Sequence, residues 1–154
     1  MNIRLKRRNA SGFTLVEVMV ALAVISIGML GIASLYTQAL GAARTTQYRS
    51  QAINLLSDMS DRIRANRLGA AGYVGGPVDN NCDLSGGAAC TPLQMAAHDL
   101  FVWNAQVQAL LPGGNWNIVR NAVAVPPVFT ITLTWEEVGQ GTLQAQAVIN
   151  VPNF

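Results

Sequence analysis

The chain has 154 residues, 51% of them hydrophobic and only 12% charged, a low charge content for a fully soluble protein. The formal charge of +2 depends on Arg4, Lys6, Arg7 and Arg8; without them six basic side chains stand against eight acidic ones, which excludes a strongly basic nucleic-acid footprint. Once a long helix is subtracted, the length leaves room for one modest domain.

Residues 1–12 form a basic leader. An apolar run from Phe13 to Leu40 follows, and Glu17 is its only charge. The run exceeds the roughly 20 residues a membrane-spanning helix needs. The positive-inside rule places the leader in the cytoplasm and the remainder in the periplasm or outside. An ordinary secretory signal has a shorter apolar core, about 7–15 residues, with its cleavage site after that core. Here Gly12 precedes the apolar run. A plain anchor explains the length and the basic flank, but not Gly12-Phe13-Thr14-Leu15-Val16-Glu17 at the boundary.

A carboxylate within a membrane-length segment costs roughly 2.5–3.5 kcal/mol on insertion scales, so Glu17 calls for a partner. Cutting after Gly12 would give Phe13 a free amino group one helical turn before Glu17. Residues four apart share one side of a helix, and a carboxylate near a helix N-terminus is favoured by the dipole.

Residues 13 to about 67 read as one helix without proline. Gly28, Gly31 and Gly41 are weak points, about 1 kcal/mol each relative to alanine, where the helix can bend or a neighbouring helix can approach closely. In the second half Ile53, Leu56, Ser60 and Ile63 recur at helical spacing, flanked by Leu55 and Met59. Asp58 and Arg62 are four apart with the acid first, and Asp61 and Arg64 three apart. The helix is expected to end near Leu68-Gly69, after Arg62, Arg64 and Arg67.

Residues 69–90 read as a loop rich in Gly, Ala and Asn. Its glycines lack the following Gly-Lys-Ser/Thr and the preceding strand of a phosphate loop. With the globular part in the periplasm, Cys82 and Cys90 read as one local disulfide, restricting the unfolded chain by roughly 2.5 kcal/mol in the loop-entropy model. A second helix starts at Thr91-Pro92-Leu93-Gln94, a capping box with proline at the first helical position. Its apolar face is expected to run through Leu93, Ala97, Leu100, Trp103 or Asn104, Val107 and Leu111 until Pro112-Gly113-Gly114 stops it.

Three strands follow. Trp116–Arg120 is the first. In the second, Val128–Trp135, the apolar residues Phe129, Ile131, Leu133 and Trp135 alternate with threonines. Leu143–Val151 is the third, joined to the second by a turn at Gly139 and Gly141. The fold class is α+β: a long N-terminal helix packed on a small antiparallel sheet, plus a second short helix.

Catalytic and ligand chemistry is poorly supported. His98 stands beside Asp99 with no nucleophile identified, so it reads as a capping or packing residue. Two cysteines and one histidine fall short of the four ligands of a structural zinc site. No metal or other cofactor is expected. Glu136 and Glu137 point to opposite faces of a strand and read as a solvated strand end. Trp103, Trp116 and Trp135 read as core. Arg62, Arg64 and Arg67 read as a solvated or subunit-facing helix end rather than as a contact to DNA phosphates.

The leader, the Gly12-Phe13 junction and Glu17 resemble the type III signal of prepilins, the precursors of type IV pilus and type II secretion subunits. Two further regions narrow the likeness. The first comprises Ile27-Gly28-Met29-Leu30-Gly31-Ile32-Ala33 and, later, Asp58-Met59-Ser60-Asp61-Arg62-Ile63-Arg64-Ala65-Asn66-Arg67. The second comprises His98-Asp99-Leu100 with Trp103, then Leu111-Pro112-Gly113-Gly114. Together they resemble the PilV family of minor pilins, also called type IV pilus modification proteins. Ser34 stands where many major pilins carry a helix-kinking proline.

The resemblance implies a type IV pilin-like fold with a leader at 1–12, a transmembrane and filament-core helix at 13–43, and a periplasmic globular domain at 44–154. It implies cleavage between Gly12 and Phe13 by the prepilin peptidase, N-methylation of Phe13, and Glu17 as the assembly carboxylate. It also implies a Cys82–Cys90 disulfide. The implied function is non-enzymatic: a minor pilin at or near the pilus tip that primes assembly and supports twitching motility, adhesion or DNA uptake. Its implied partners are other minor pilins, the major pilin, the peptidase and the inner-membrane assembly platform. The chain is expected in the inner membrane before assembly and in the surface pilus afterwards. The alternatives are a type II secretion pseudopilin, and a tip module that binds a ligand through the 69–90 loop.

Overall fold

The computed structural model describes residues 12–82 and 89–152. The basic side chains of the leader and part of the disulfide loop lie outside the described residues. The chain divides into two compact units, Met1–Ala43 and Arg44–Phe154.

Helix α1 spans Leu15–Ala65, two residues inside each expected limit. Thr14 sets its start: the Thr14 Oγ1 accepts from the Glu17 N–H at 3.3 Å, and the Thr14 carbonyl accepts from Val18 N–H. Phe13 therefore lies just before the cap. The helix runs unbroken through Gly28, Gly31 and Gly41. Within the first unit its large apolar side chains, from Leu15 to Leu40, are all exposed.

The second unit is built around one core. From α1 it takes Ala52, Leu55, Leu56, Met59 and Ile63. Ile53 departs from the expected stripe and is 62% exposed; the small Ala52 takes the inward position instead. After α1 the chain does not become a loop. Arg67–Val74 winds into a 3-10 helix, which places Ala70 and Tyr73 in the core.

Two features account for this turn. The Asn66 side chain accepts from Gly69 N–H at 3.2 Å and donates to the Pro92 carbonyl at 2.7 Å. Gly69 itself sits against the next helix: a Cβ there would lie 2.1 Å from the Pro92 oxygen and 2.6 Å from Asn66 Nδ2. Because the nearest obstacle is backbone, Gly69→Ala is expected to cost about 2–3 kcal/mol, read as a lower denaturation midpoint of the globular unit. An unchanged midpoint would show that the 3-10 turn is not held by this contact.

Helix α2, Pro92–Leu110, opens with the expected capping box: Thr91 Oγ1 accepts from Gln94 N–H, and Gln94 Oε1 accepts from Thr91 N–H. Its buried face keeps Leu100, Trp103, Val107 and Leu111 of the expected one and differs in the first turns. Ala96, His98, Asp99, Leu100, Trp103 and Val107 are buried, whereas Leu93 is 58% exposed. There the 3-10 helix packs closely on Ala96, since a Cβ on Gly72 would lie 2.9 Å from Ala96 Cβ. Two small residues thus bring the two segments together.

Strands β1 (Asn115–Asn121), β2 (Val128–Glu137) and β3 (Gly141–Asn150) form an antiparallel sheet in that order. The register pairs Ile118 with Ile131 and Phe129 with Ile149, so the apolar set of each strand falls on one face. Gly139 and Gly141 adopt φ of 85° and 76°, the left-handed conformation that glycine takes without strain. The long apolar helix, the small antiparallel sheet and the further helix are consistent with a type IV pilin fold.

Candidate assembly site on the N-terminal helix

Gly12, Phe13 and Glu17 occupy one short segment. Gly12 and Phe13 precede the helix, and Phe13 is 83% exposed. Glu17 lies in the first turn of α1, where the unsatisfied amides favour a negative charge. Thr14-Leu15-Val16-Glu17 also has the spacing of a capping box, a signal the sequence reading did not use. The Thr14 half of that box forms, and the first-turn position of Glu17 suits the helix dipole, beside the assembly role implied by resemblance.

Downstream, side chains such as Val18, Met19, Val20, Val24 and Ile25 present apolar surface all round the helix. The helix is long and apolar enough to cross a membrane. An apolar surface of this extent needs lipid or neighbouring helices to cover it.

The remaining sequence candidates lie in the second unit. Cys82 and Cys90 are joined, with their Cα atoms 5.7 Å apart. His98 is buried, its Nδ1 3.3 Å from Asp79 Oδ1 and its ring stacked on Phe101. Asp99 belongs to a partly buried network spanning three segments. Arg62 donates from Nε to Asp58 Oδ2 at 2.9 Å and from Nη1 to Asp99 Oδ1 at 2.8 Å. The Tyr73 hydroxyl donates to the other oxygen of Asp99. Burial, reinforced by Asp99, pushes the Tyr73 hydroxyl pKa well above the usual tyrosine range. Burial works against the Arg62 charge, but the hydrogen bonds it donates to Asp58 and Asp99, with their negative charges, outweigh it and raise its pKa. The network ties α1, the 3-10 helix and α2 together. Sequence spacing shows only its Asp58–Arg62 part.

Glu137 corrects the reading of a solvated strand end. Glu136 is exposed, as expected, but Glu137 is buried on the inner face. It accepts from Thr45 Oγ1 at 2.6 Å and from Trp135 Nε1 at 2.9 Å. Those two hydrogen bonds, aided by the charge of Arg49, hold its carboxyl below the usual range. A lowered folded-state pKa gives stability that is present above the unfolded value, about 4.3, and is lost as pH falls through the folded value. Glu137→Gln is therefore expected to melt earlier than the native chain at pH near 7, with the gap closing in acid. Melting curves at several pH values check this; a gap independent of pH would show that the charge contributes nothing.

Comparison with known proteins gives two consecutive matches. Residues 7–33 match the prokaryotic N-terminal methylation motif, and residues 34–101 match the family model of type IV pilin Tt1218. No significant match was found among curated proteins or among solved structures. The motif and the long apolar helix fit a membrane-anchored pilin that ends up in a pilus. Pilus-related partners follow from the same motif in general terms. The two matches and the architecture together support a type IV pilin.

Proposed function

We propose that the chain is a PilV-type minor pilin that primes type IV pilus assembly and enters the filament at or near its tip with other minor pilins. The observation that carries this is the methylation motif over residues 7–33, set on a helix whose apolar side chains are all uncovered up to Leu40. Cleavage between Gly12 and Phe13 and methylation of Phe13 produce the mature end. Glu17 then pairs with a Phe13-type amine in the assembly, which relieves the cost of a lone carboxylate in lipid. The helix supplies lateral packing and the globular unit selects neighbours. The prepilin peptidase and the inner-membrane platform act before assembly, when the globular unit faces the periplasm. Twitching motility and adhesion depend on the assembled pili. Type IV pilins are structural proteins, so no catalytic role is assigned.

The pilin match over 34–101 favours the pilus over a type II secretion system. The ligand-binding reading of the 69–90 loop is weakened because Ala70 and Tyr73 serve the core. Deleting the whole loop would unfold the unit rather than isolate a binding function.

Chromosomal deletion with complementation tests the proposal. Surface pili are expected to fall sharply in the deletion strain and to return on complementation, with this chain a small fraction of the sheared filament protein. Unchanged piliation in the deletion strain, or an abundance equal to that of the main subunit, would contradict the priming role.

A further inference from the structure

The second unit contains a surface cavity of about 300 Å³ where the start of the 3-10 helix meets the end of the sheet. Arg67 and Arg120 line it, with Phe129, Val151 and Pro127 among its apolar walls. Phe129 and Val151 are buried at the floor, while Leu68 on the rim is 85% exposed. Among the described residues, the lining includes no carboxylate.

Arg120 is the informative residue. It projects from β1 beside its register partner Phe129, with its guanidinium carbon 5.9 Å from that ring's centroid. Its Nε is buried and has no hydrogen-bond partner among the described residues. A buried donor on a charged group is costly when unsatisfied, and the cation–π contact offers it no acceptor. The ring instead holds the planar fork in place. A carboxylate engages such a fork through two parallel hydrogen bonds. The apolar floor suits a ligand whose carboxylate sits on an aliphatic stem. The volume lies at the lower end of ligand sites and suits one or two side chains rather than a cofactor.

We propose that the Arg67–Arg120 cavity is a docking pocket for an acidic side chain of a neighbouring pilus subunit, with the carboxylate on the Arg120 fork and its stem on Phe129 and Val151. The neighbour's identity as a pilus subunit rests on the function proposed above; the affinity for a carboxylate does not.

The test uses the mature full-length chain in detergent micelles, with the arginine Nε–H resonances followed by NMR. The probes are acetyl-Val-Glu-amide, acetyl-Val-Gln-amide and inorganic phosphate. A saturable shift of the Arg120 resonance at millimolar glutamate peptide is expected, with the glutamine peptide about tenfold weaker or inactive. Arg67→Ala is expected to weaken the glutamate response of the Arg120 resonance, and Arg120→Lys, which keeps the charge without the fork, to weaken the response of the Arg67 resonance at least as much. In cells, Arg120→Gln is expected to reduce entry into sheared pili. No saturable shift, or phosphate acting as strongly as the glutamate peptide, would overturn the carboxylate pocket. Peptide binding with native entry of Arg120→Gln into pili would overturn the docking role. Methylation of Phe13 in the native chain reads the pilus assignment separately, since it does not involve Arg120.

Discussion

Glu17→Ala is expected to leave leader cleavage intact and to reduce entry of the chain into filaments by about a hundredfold. The magnitude follows from a lone carboxylate in lipid, roughly 2.5–3.5 kcal/mol, at about 1.4 kcal/mol per tenfold. On the proposed function, that cost is relieved when Glu17 meets an amine, which favours assembly over dispersal in the bilayer. Removing the carboxylate removes the preference. Glu17 also stands at the third helical position after the Thr14 cap, so loss of local helix order is a competing cause. Glu17→Gln separates the two. Glutamine serves a capping box as glutamate does, but it carries no charge. If charge pairing drives assembly, Glu17→Gln fails as Glu17→Ala does. If capping is what matters, Glu17→Gln restores incorporation. The ratio of sheared to membrane-bound protein on immunoblots reads both variants.

Trp103→Ala is expected to destabilise the globular unit by about 4 kcal/mol, near the upper end for large-to-small core changes. Trp103 is fully buried. Its Nε1 donates to the Leu55 carbonyl of α1 at 2.9 Å. Its ring meets Trp116 of β1 edge-on at 5.6 Å, and Trp116 is itself held by Asn104 Oδ1 at 2.8 Å. One side chain thus joins α2 to both α1 and the sheet. Trp103→Phe keeps much of the volume but removes the donor, so about 1–2 kcal/mol is expected from that variant. Thermal melts followed by near-ultraviolet dichroism give the comparison. A loss below about 1 kcal/mol for Trp103→Ala would show that the joint is not where the unit's stability is concentrated.

How far the sequence carries the fold depends on whether the signal is local. Phe129, Ile131, Leu133 and Trp135 alternate with threonines, and that period alone fixes the inner face of β2. Thr91 and Gln94 cap α2 within a single turn, and Gly139 and Gly141 mark the hairpin by their left-handed backbone. The misreadings share a different cause. Residues 67–74 show no period, because their order comes from Asn66 reaching Pro92 and Tyr73 reaching Asp99. At the start of α2, Ala96 rather than Leu93 is buried, where Gly72 admits it at close range.

Glu137 is the instructive intermediate case. Its position shares the parity of Phe129 and Trp135, so alternation alone places it inward. A carboxylate there is tolerable only with partners, and Thr45 lies 92 residues away in the chain. At the N-terminal site, the Gly12-Phe13 junction and Glu17 were legible as a motif. The capping role of Thr14 emerged from the backbone contacts.

The measurement that bears most directly on the pilin reading is intact mass with N-terminal sequencing of this chain from sheared surface filaments and from the inner membrane. A mature form that begins with N-methylated Phe13, present at low abundance in the sheared filaments, is the expected result. A chain that keeps its Met1–Gly12 leader in the membrane of a peptidase-competent cell would contradict it and leave an ordinary membrane-anchored domain.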